Sequence, residues 1–143
     1  MKIFIIGAGQ VGATVVEALH DEHELTVIDL DEERLAALSQ RYDVATIEGN
    51  GASRRVLSAA GITEADLLIA CTSRDESNIV AAMISKACSK RTTTVVRTTN
   101  PEYLEVWREG QLDVDFIVSC EIESALVEKP AVGIVVRACA NDW

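Results

Sequence analysis

Apolar runs and amphipathic stretches alternate along the chain. Lys2-Ile3-Phe4-Ile5-Ile6 is almost wholly apolar and stops at a glycine, the pattern of a strand covered on both faces. From Gln10 to about Asp21, Val11, Val15, Ala18 and Leu19 recur at helical spacing. Leu25 to Ile28 predicts a second strand. Asp31 to Arg41 predicts a helix with Leu35 and Leu38 inward, and with Asp31, Glu32 and Glu33 at the end where the macrodipole favours anions. Val44 to Glu48 predicts a third strand, Ser53 to Ala60 a short helix stopped by Gly61, and Asp66 to Cys71 a fourth strand. A helix starting at Asp75 or Ser77 runs through Ile79, Met83 and Ile84, and Thr94 to Val96 predicts a fifth strand. Pro101 suits the first turn of a helix reaching Glu109. Phe116 to Val118 predicts a sixth strand, with a helical turn at Glu121 to Val127 after it.

Strands that alternate with helices require right-handed crossovers and a parallel sheet. Six strands are the full set of a doubly wound α/β fold of the Rossmann type, with expected order 3-2-1-4-5-6 and helices on both faces. Residues 1–130 form that domain. Beyond Pro130, Val132 to Val136 predicts one more strand, which has no partner inside the six-stranded unit. Pairing with another subunit is one reading. Residues 131–143 as the start of a further unit is the favoured one.

The chemistry concentrates where strands meet helices. Gly7-Ala8-Gly9-Gln10-Val11-Gly12 is a G-x-G-x-x-G run that follows the first strand and opens the first helix, the context that gives this pattern its meaning. Gly7 permits a tight turn, Gly9 lets a pyrophosphate approach the backbone, and Gly12 lets helix and strand pack closely. The helix N-terminus offers N–H groups and a positive dipole end to phosphate. Asp29 ends the second strand, seventeen residues past Gly12, where a carboxylate accepts from ribose hydroxyls and repels a 2′-phosphate. That favours NAD over NADP. Asp31 is read as a helix cap that can also reach the ribose.

Three further strand ends are candidates. Asn50, between Gly49 and Gly51, can read the adenine edge, and a turn chosen for positive φ is a compatible reading. Thr72 and Ser73 either face the second ribose and phosphate or cap the next helix. Arg97 sits in or just after an apolar strand, so its charge needs a partner, either a ligand phosphate or a carboxylate such as Glu121.

Thirteen basic against twenty-three acidic residues give a net charge of −10, which argues against nucleic acid and anionic lipid as general partners. No apolar run reaches the roughly eighteen residues needed to cross a bilayer, and no signal-peptide pattern precedes the first strand. A cytoplasmic chain without direct membrane insertion is expected. Cys71, Cys88, Cys120 and Cys139 are too scattered for a zinc site and are read as reduced, buried small hydrophobes. His20 and His23 alone do not make a metal site. No catalytic residue is assigned.

These residues together resemble the N-terminal nucleotide-binding domain of Trk-type potassium uptake regulators, the KTN or RCK type. The resemblance spans about residues 1–128 and rests on the glycine run, Val27-Ile28-Asp29-Leu30-Asp31 and Glu48-Gly49-Asn50-Gly51. It continues through Val56 to Ile62, Ala65-Asp66, Cys71-Thr72-Ser73-Arg74-Asp75-Glu76-Ser77-Asn78, Arg97 and Asn100-Pro101-Glu102-Tyr103. It implies a cytoplasmic subunit, peripheral at the inner face of the membrane, that docks on a membrane potassium-translocating subunit as a homodimer or larger ring. Nucleotide contacts would fall on Gly7, Ala8, Gly9, Gln10, Val11, Asp29, Asn50, Thr72, Ser73 and Arg97, with Gly12 completing the turn. NAD or NADH is the expected ligand, with ATP and ADP possible. Gln10 stands where some relatives carry an arginine that engages terminal phosphates, which weakens the case for ATP. The rival readings are a NAD-dependent oxidoreductase domain or another Rossmann protein with an adenosine ligand, such as a methyltransferase. Against the oxidoreductase, neither Tyr42 nor Tyr103 heads a Tyr-x-x-x-Lys pair.

Overall fold

Strand formation follows the apolar runs closely. In the computed structural model, which describes residues 1–119 and 133–135, the strands are β1 (Lys2–Ile6), β2 (Glu24–Asp29), β3 (Ala45–Glu48), β4 (Leu67–Ala70), β5 (Thr93–Thr98) and β6 (Phe116–Ser119). They form one parallel sheet in the order β3-β2-β1-β4-β5-β6. The helices are α1 (Gln10–Leu19), α2 (Glu32–Arg41), α3 (Arg54–Ala60), α4 (Asp75–Cys88) and α5 (Pro101–Arg108), with a short 3₁₀ turn at Ile62–Glu64.

Alternation along the strands feeds two cores. Ile3, Ile5, Val27 and Ile69 face α1 and α2, packing against Val11, Val15, Val16, Leu35 and Leu38. Phe4, Ile6, Ile28 and Leu68 face the other way, against Leu57, Ile79, Ala82 and Leu104 of α3, α4 and α5. Central β4 is buried at every position, whereas edge strand β3 is buried at none. That contrast follows from parallel pairing, in which only the inner strands are covered on both faces and both sides.

Helix ends sit where capping chemistry puts them. The Asp31 carboxylate accepts from the N–H groups of Glu33 and Arg34, so α2 begins one residue later than the acidic cluster suggested. Gly61 stops α3 in the left-handed conformation at φ +90°, and its N–H donates to the Leu57 and Ser58 carbonyls. Helix α1 closes at Leu19, two residues short of the predicted end, and β5 runs on to Thr98, which puts Arg97 inside a strand.

One expectation is overturned. The run 132–136 predicts a strand, but residues 133–135 are helical. Val135 is fully buried and Ile134 half-buried against the same core as α1 and α2. β-Branched composition reads as strand, yet β propensity is a weak, context-dependent preference, and here the apolar side chains pack on the core from a helix. The predicted turn at Glu121 to Val127 lies outside the described residues.

Candidate functional site

All strands point the same way, so their carboxyl ends share one edge, and the chain reverses winding direction between β1 and β4. A cleft of about 460 Å³ opens there, lined from β1, β2 and β5 and from the turns after β1, β2, β3 and β4. This is the position at which open α/β sheets take ligands.

The turn after β1 is built almost without side chains. Gly7 adopts φ +110°, in the left-handed region that excludes most other residues, and its N–H donates to the Ile28 carbonyl at 2.9 Å. A Cβ at Gly12 would stand 1.9 Å from the Gly7 carbonyl oxygen, so helix and turn meet backbone to backbone. A Cβ at Gly9 would meet only an Arg34 guanidinium nitrogen at 3.7 Å, so this residue presents bare backbone to the cleft.

Asp29 holds the turn from the neighbouring strand. One carboxylate oxygen accepts from Ala8 N–H at 2.7 Å, and the other from Asp31 N–H at 2.7 Å. A carboxylate offers about four lone-pair sites, so acceptor capacity remains on the cleft side. Asn50 makes its own turn, its side-chain oxygen accepting from Ala52 N–H at 2.9 Å. Neither flanking glycine has positive φ, contrary to the turn reading. Gly51 is needed for room instead, because a Cβ there would stand 2.2 Å from Ile6 Cγ2.

The far wall follows β4 and β5. The Thr72 hydroxyl donates to Asn78 Oδ1 at 2.6 Å and accepts from Arg74 N–H at 3.2 Å, so that side chain serves the turn. Exposed Ser73 lines the cleft beside it. Arg97 reaches across, its Nη1 donating to the Thr72 carbonyl at 3.4 Å. Glu121, its alternative partner, lies outside the described residues. Burial pushes the Cys71 thiol up to about 12, and its sulfur lies 3.5 Å from the Ile6 carbonyl, so at neutral pH it is an inert proton donor.

Of the sequence candidates, Gly7, Gly9, Gln10, Val11, Asp29, Asn50, Thr72, Ser73 and Arg97 line one cleft. Ala8 and Gly12 do not. Ala8 acts through its N–H on Asp29, and Gly12 sits beneath the turn. Sequence reasoning gave no role to Arg34 and Arg74, which also line the cleft. Each stands at a helix N-terminus, where a cation opposes the macrodipole, and that conflict was the available signal. Three guanidinium groups thus face one cleft on a chain of net charge −10.

The model of the TrkA-N domain family matches residues 3–120. The Trk system potassium uptake protein trkA homolog 1 of Methanosarcina mazei is 41% identical over 133 residues, covering 87% of this chain and 32% of that protein. The chain spans less than a third of the length of the curated relatives it matches first. Among solved structures, the TrkA-N domain of the inner membrane protein ybaL from Escherichia coli superposes with a TM-score of 0.74 at 21% identity, over 84% of this chain and 87% of that one. The GsuK channel bound to NAD superposes at 0.68 and 18% identity, over 81% and 21% of the two chains. GsuK bound to ADP does so at 0.71 and 18%, over 83% and 31%. These structural likenesses bear on the fold, and the two findings that bear on the family agree: a match running from β1 to just past β6, and substantial identity to a named relative. On the strength of the first, which takes in most of the chain, this chain belongs to the TrkA-N domain family.

Proposed function

We propose that this chain is a NAD(H)-binding regulatory domain of a potassium uptake system, controlling a membrane potassium-translocating subunit through its nucleotide state. The observation that carries the reading is the distribution of charge in the cleft. A carboxylate with spare acceptor capacity stands at one end, bare backbone at Gly9 in the middle, and guanidinium groups on both sides. Ribose hydroxyls suit the first and phosphates the rest. Leu30, exposed at the rim next to Asp29, offers an apolar face of the kind an adenine covers. ADP is the nearest competitor, since it would use the same adenosine half.

Binding rather than catalysis is favoured by the ionisable groups of the cleft. Among the described residues, those lining it are Asp29, Cys71 and the three arginines. The Cys71 thiol stays protonated at neutral pH, and both oxygens of Asp29 already accept backbone N–H bonds. The thiol is no base at neutral pH, and the Asp29 carboxylate is tied into the turn it supports.

A nucleotide shifts a regulatory equilibrium only by its difference in affinity for two states, with typical couplings of about 1–3 kcal/mol. The states proposed here are two arrangements of a homodimer or larger ring on the inner face of the membrane. Calorimetric titration with NADH, NAD, ATP, ADP and S-adenosylmethionine tests the ligand, with Asp29→Ala as control. NAD or NADH is expected to bind most tightly and to lose at least tenfold in the variant, about 1.4 kcal/mol. Preference for S-adenosylmethionine, or no binding by the wild type, would overturn the proposal.

A further inference from the structure

Pairing between β4 and β5 ends at Ala70 opposite Val96, one strand position before Arg97 and two before Thr72. Those two residues form the far wall of the cleft, so the wall stands just beyond the last ladder bonds. The Asn78 side chain takes over there. Asn78, in the first turn of α4, is fully buried, and its amide uses both donors and its acceptor. Nδ2 donates to the Thr72 carbonyl at 3.0 Å and to the Arg97 carbonyl at 2.9 Å. Oδ1 accepts from the Thr72 N–H at 2.9 Å and the Thr72 hydroxyl at 2.6 Å. The Thr72 carbonyl that Asn78 fixes is also where Arg97 Nη1 rests.

We propose that Asn78 is the positioning residue of the far wall, holding Thr72 and Arg97 at the spacing that the second half of a dinucleotide requires. This rests on the dinucleotide reading above. An aspartate cannot replace it, because two carbonyls need two donors and a carboxylate has none. An aliphatic residue of similar size removes the Asn78 bonds to both carbonyls and to the Thr72 N–H, leaving the Thr72 carbonyl only the longer bond from Arg97. Nothing on the Asp29 side of the cleft is bonded to Asn78 by these four contacts, so its influence is confined to one end of the ligand.

That asymmetry provides the test. The full chain is titrated with NAD and with AMP, which carries only the adenosine half, for the wild type, Asn78→Ala and Asn78→Asp. Leu104→Ala, a core truncation in α5 away from the cleft, serves as a destabilised control. Asn78→Ala is expected to raise the Kd for NAD at least tenfold while leaving AMP within twofold, and Asn78→Asp to be worse than Asn78→Ala. Leu104→Ala should leave both ligands within twofold at temperatures below its unfolding transition. If Asn78→Ala does not fold, Asn78→Ser is judged by the same NAD-to-AMP ratio. An equal loss for both ligands, or NAD within twofold of wild type, overturns the inference and leaves the dinucleotide reading intact. Failure of the wild type to bind NAD overturns both.

Discussion

Two strand–turn–helix units stand side by side at the carboxyl edge of the sheet, β1 with α1 and β4 with α4, and they are built by opposite means. The turn after β1 carries almost no side chains of its own and borrows one carboxylate, Asp29, from the neighbouring strand: Gly12 meets the Gly7 carbonyl, and α1 starts from Gly9 with no side-chain cap. The turn after β4 is held by a buried side chain, the Asn78 amide. They also touch, since a Cβ at Gly7 would lie 3.1 Å from Thr72 N. The difference separates two ways of shaping a polar cleft. Bare backbone admits a ligand close to the chain, whereas a side-chain brace sets how far apart two strand ends stand.

The largest effect should come from giving the first turn a side chain. Gly12→Ala puts a methyl 1.9 Å from a carbonyl oxygen that cannot move without shifting β1, and a loss of about 3 kcal/mol is expected by urea unfolding. Gly9→Ala, three residues earlier, should leave stability within about 1 kcal/mol, because φ there is −74° and its methyl meets only Arg34 at 3.7 Å. It should nevertheless weaken nucleotide binding. Equal losses of stability from the two variants would mean that the turn is not held by backbone contact.

The same contrast explains what could be read in advance. The glycine run and Asp29 were legible because the turn is local and the carboxylate lies one crossover away, so spacing along the chain maps onto spacing in the fold. Strand order and helix faces were legible for a similar reason, since period and composition are properties of short windows. Asn78 was not given its role because its partners, Thr72 and Arg97, come together only when β4 and β5 pair. An asparagine on the same helix face as Ala81, Ala82 and Ser85 was the one hint that a buried polar bond was required. The helical residues at 133–135 were missed because Ile134 and Val135 carry strand-like composition, and their packing against the core shared with α1 and α2 is a tertiary contact that a short window does not contain.

Cys71 lies on the seam between the two turns, with its sulfur 3.6 Å from where a Gly12 Cβ would stand, and its protonation reports whether that seam is dry. Burial raises its pKa from 9.0 to about 12, so below pH 9 both folded and unfolded chains keep the proton. Above pH 9 the unfolded chain releases it and the folded chain does not, so the wild type loses stability as pH rises from 9 towards 12. Cys71→Ala removes that term, although it lowers stability at every pH through lost packing. Between pH 8 and pH 10 the gap in unfolding free energy between wild type and variant should therefore shrink by about 1.4 kcal/mol. A constant gap would place water at the seam.

The smallest expected effect isolates how the first turn is supported from β2. Asp31 contributes two separate things. Its backbone N–H donates to Asp29 Oδ1, steadying the carboxylate that in turn accepts from Ala8. Its side chain caps α2 and pairs with Arg34 at 3.5 Å. Asp31→Ala keeps the first and removes the second, so a thermal melt should show a loss of about 1 kcal/mol, the usual worth of a cap. Nucleotide affinity should stay within twofold, because the alanine N–H still reaches Asp29. An affinity loss of tenfold in this variant would mean that the Asp31 carboxylate itself touches the ribose. The adenosine end of the cleft would then use two carboxylates rather than Asp29 alone, and the contrast with the Asn78 brace would narrow to a difference of degree.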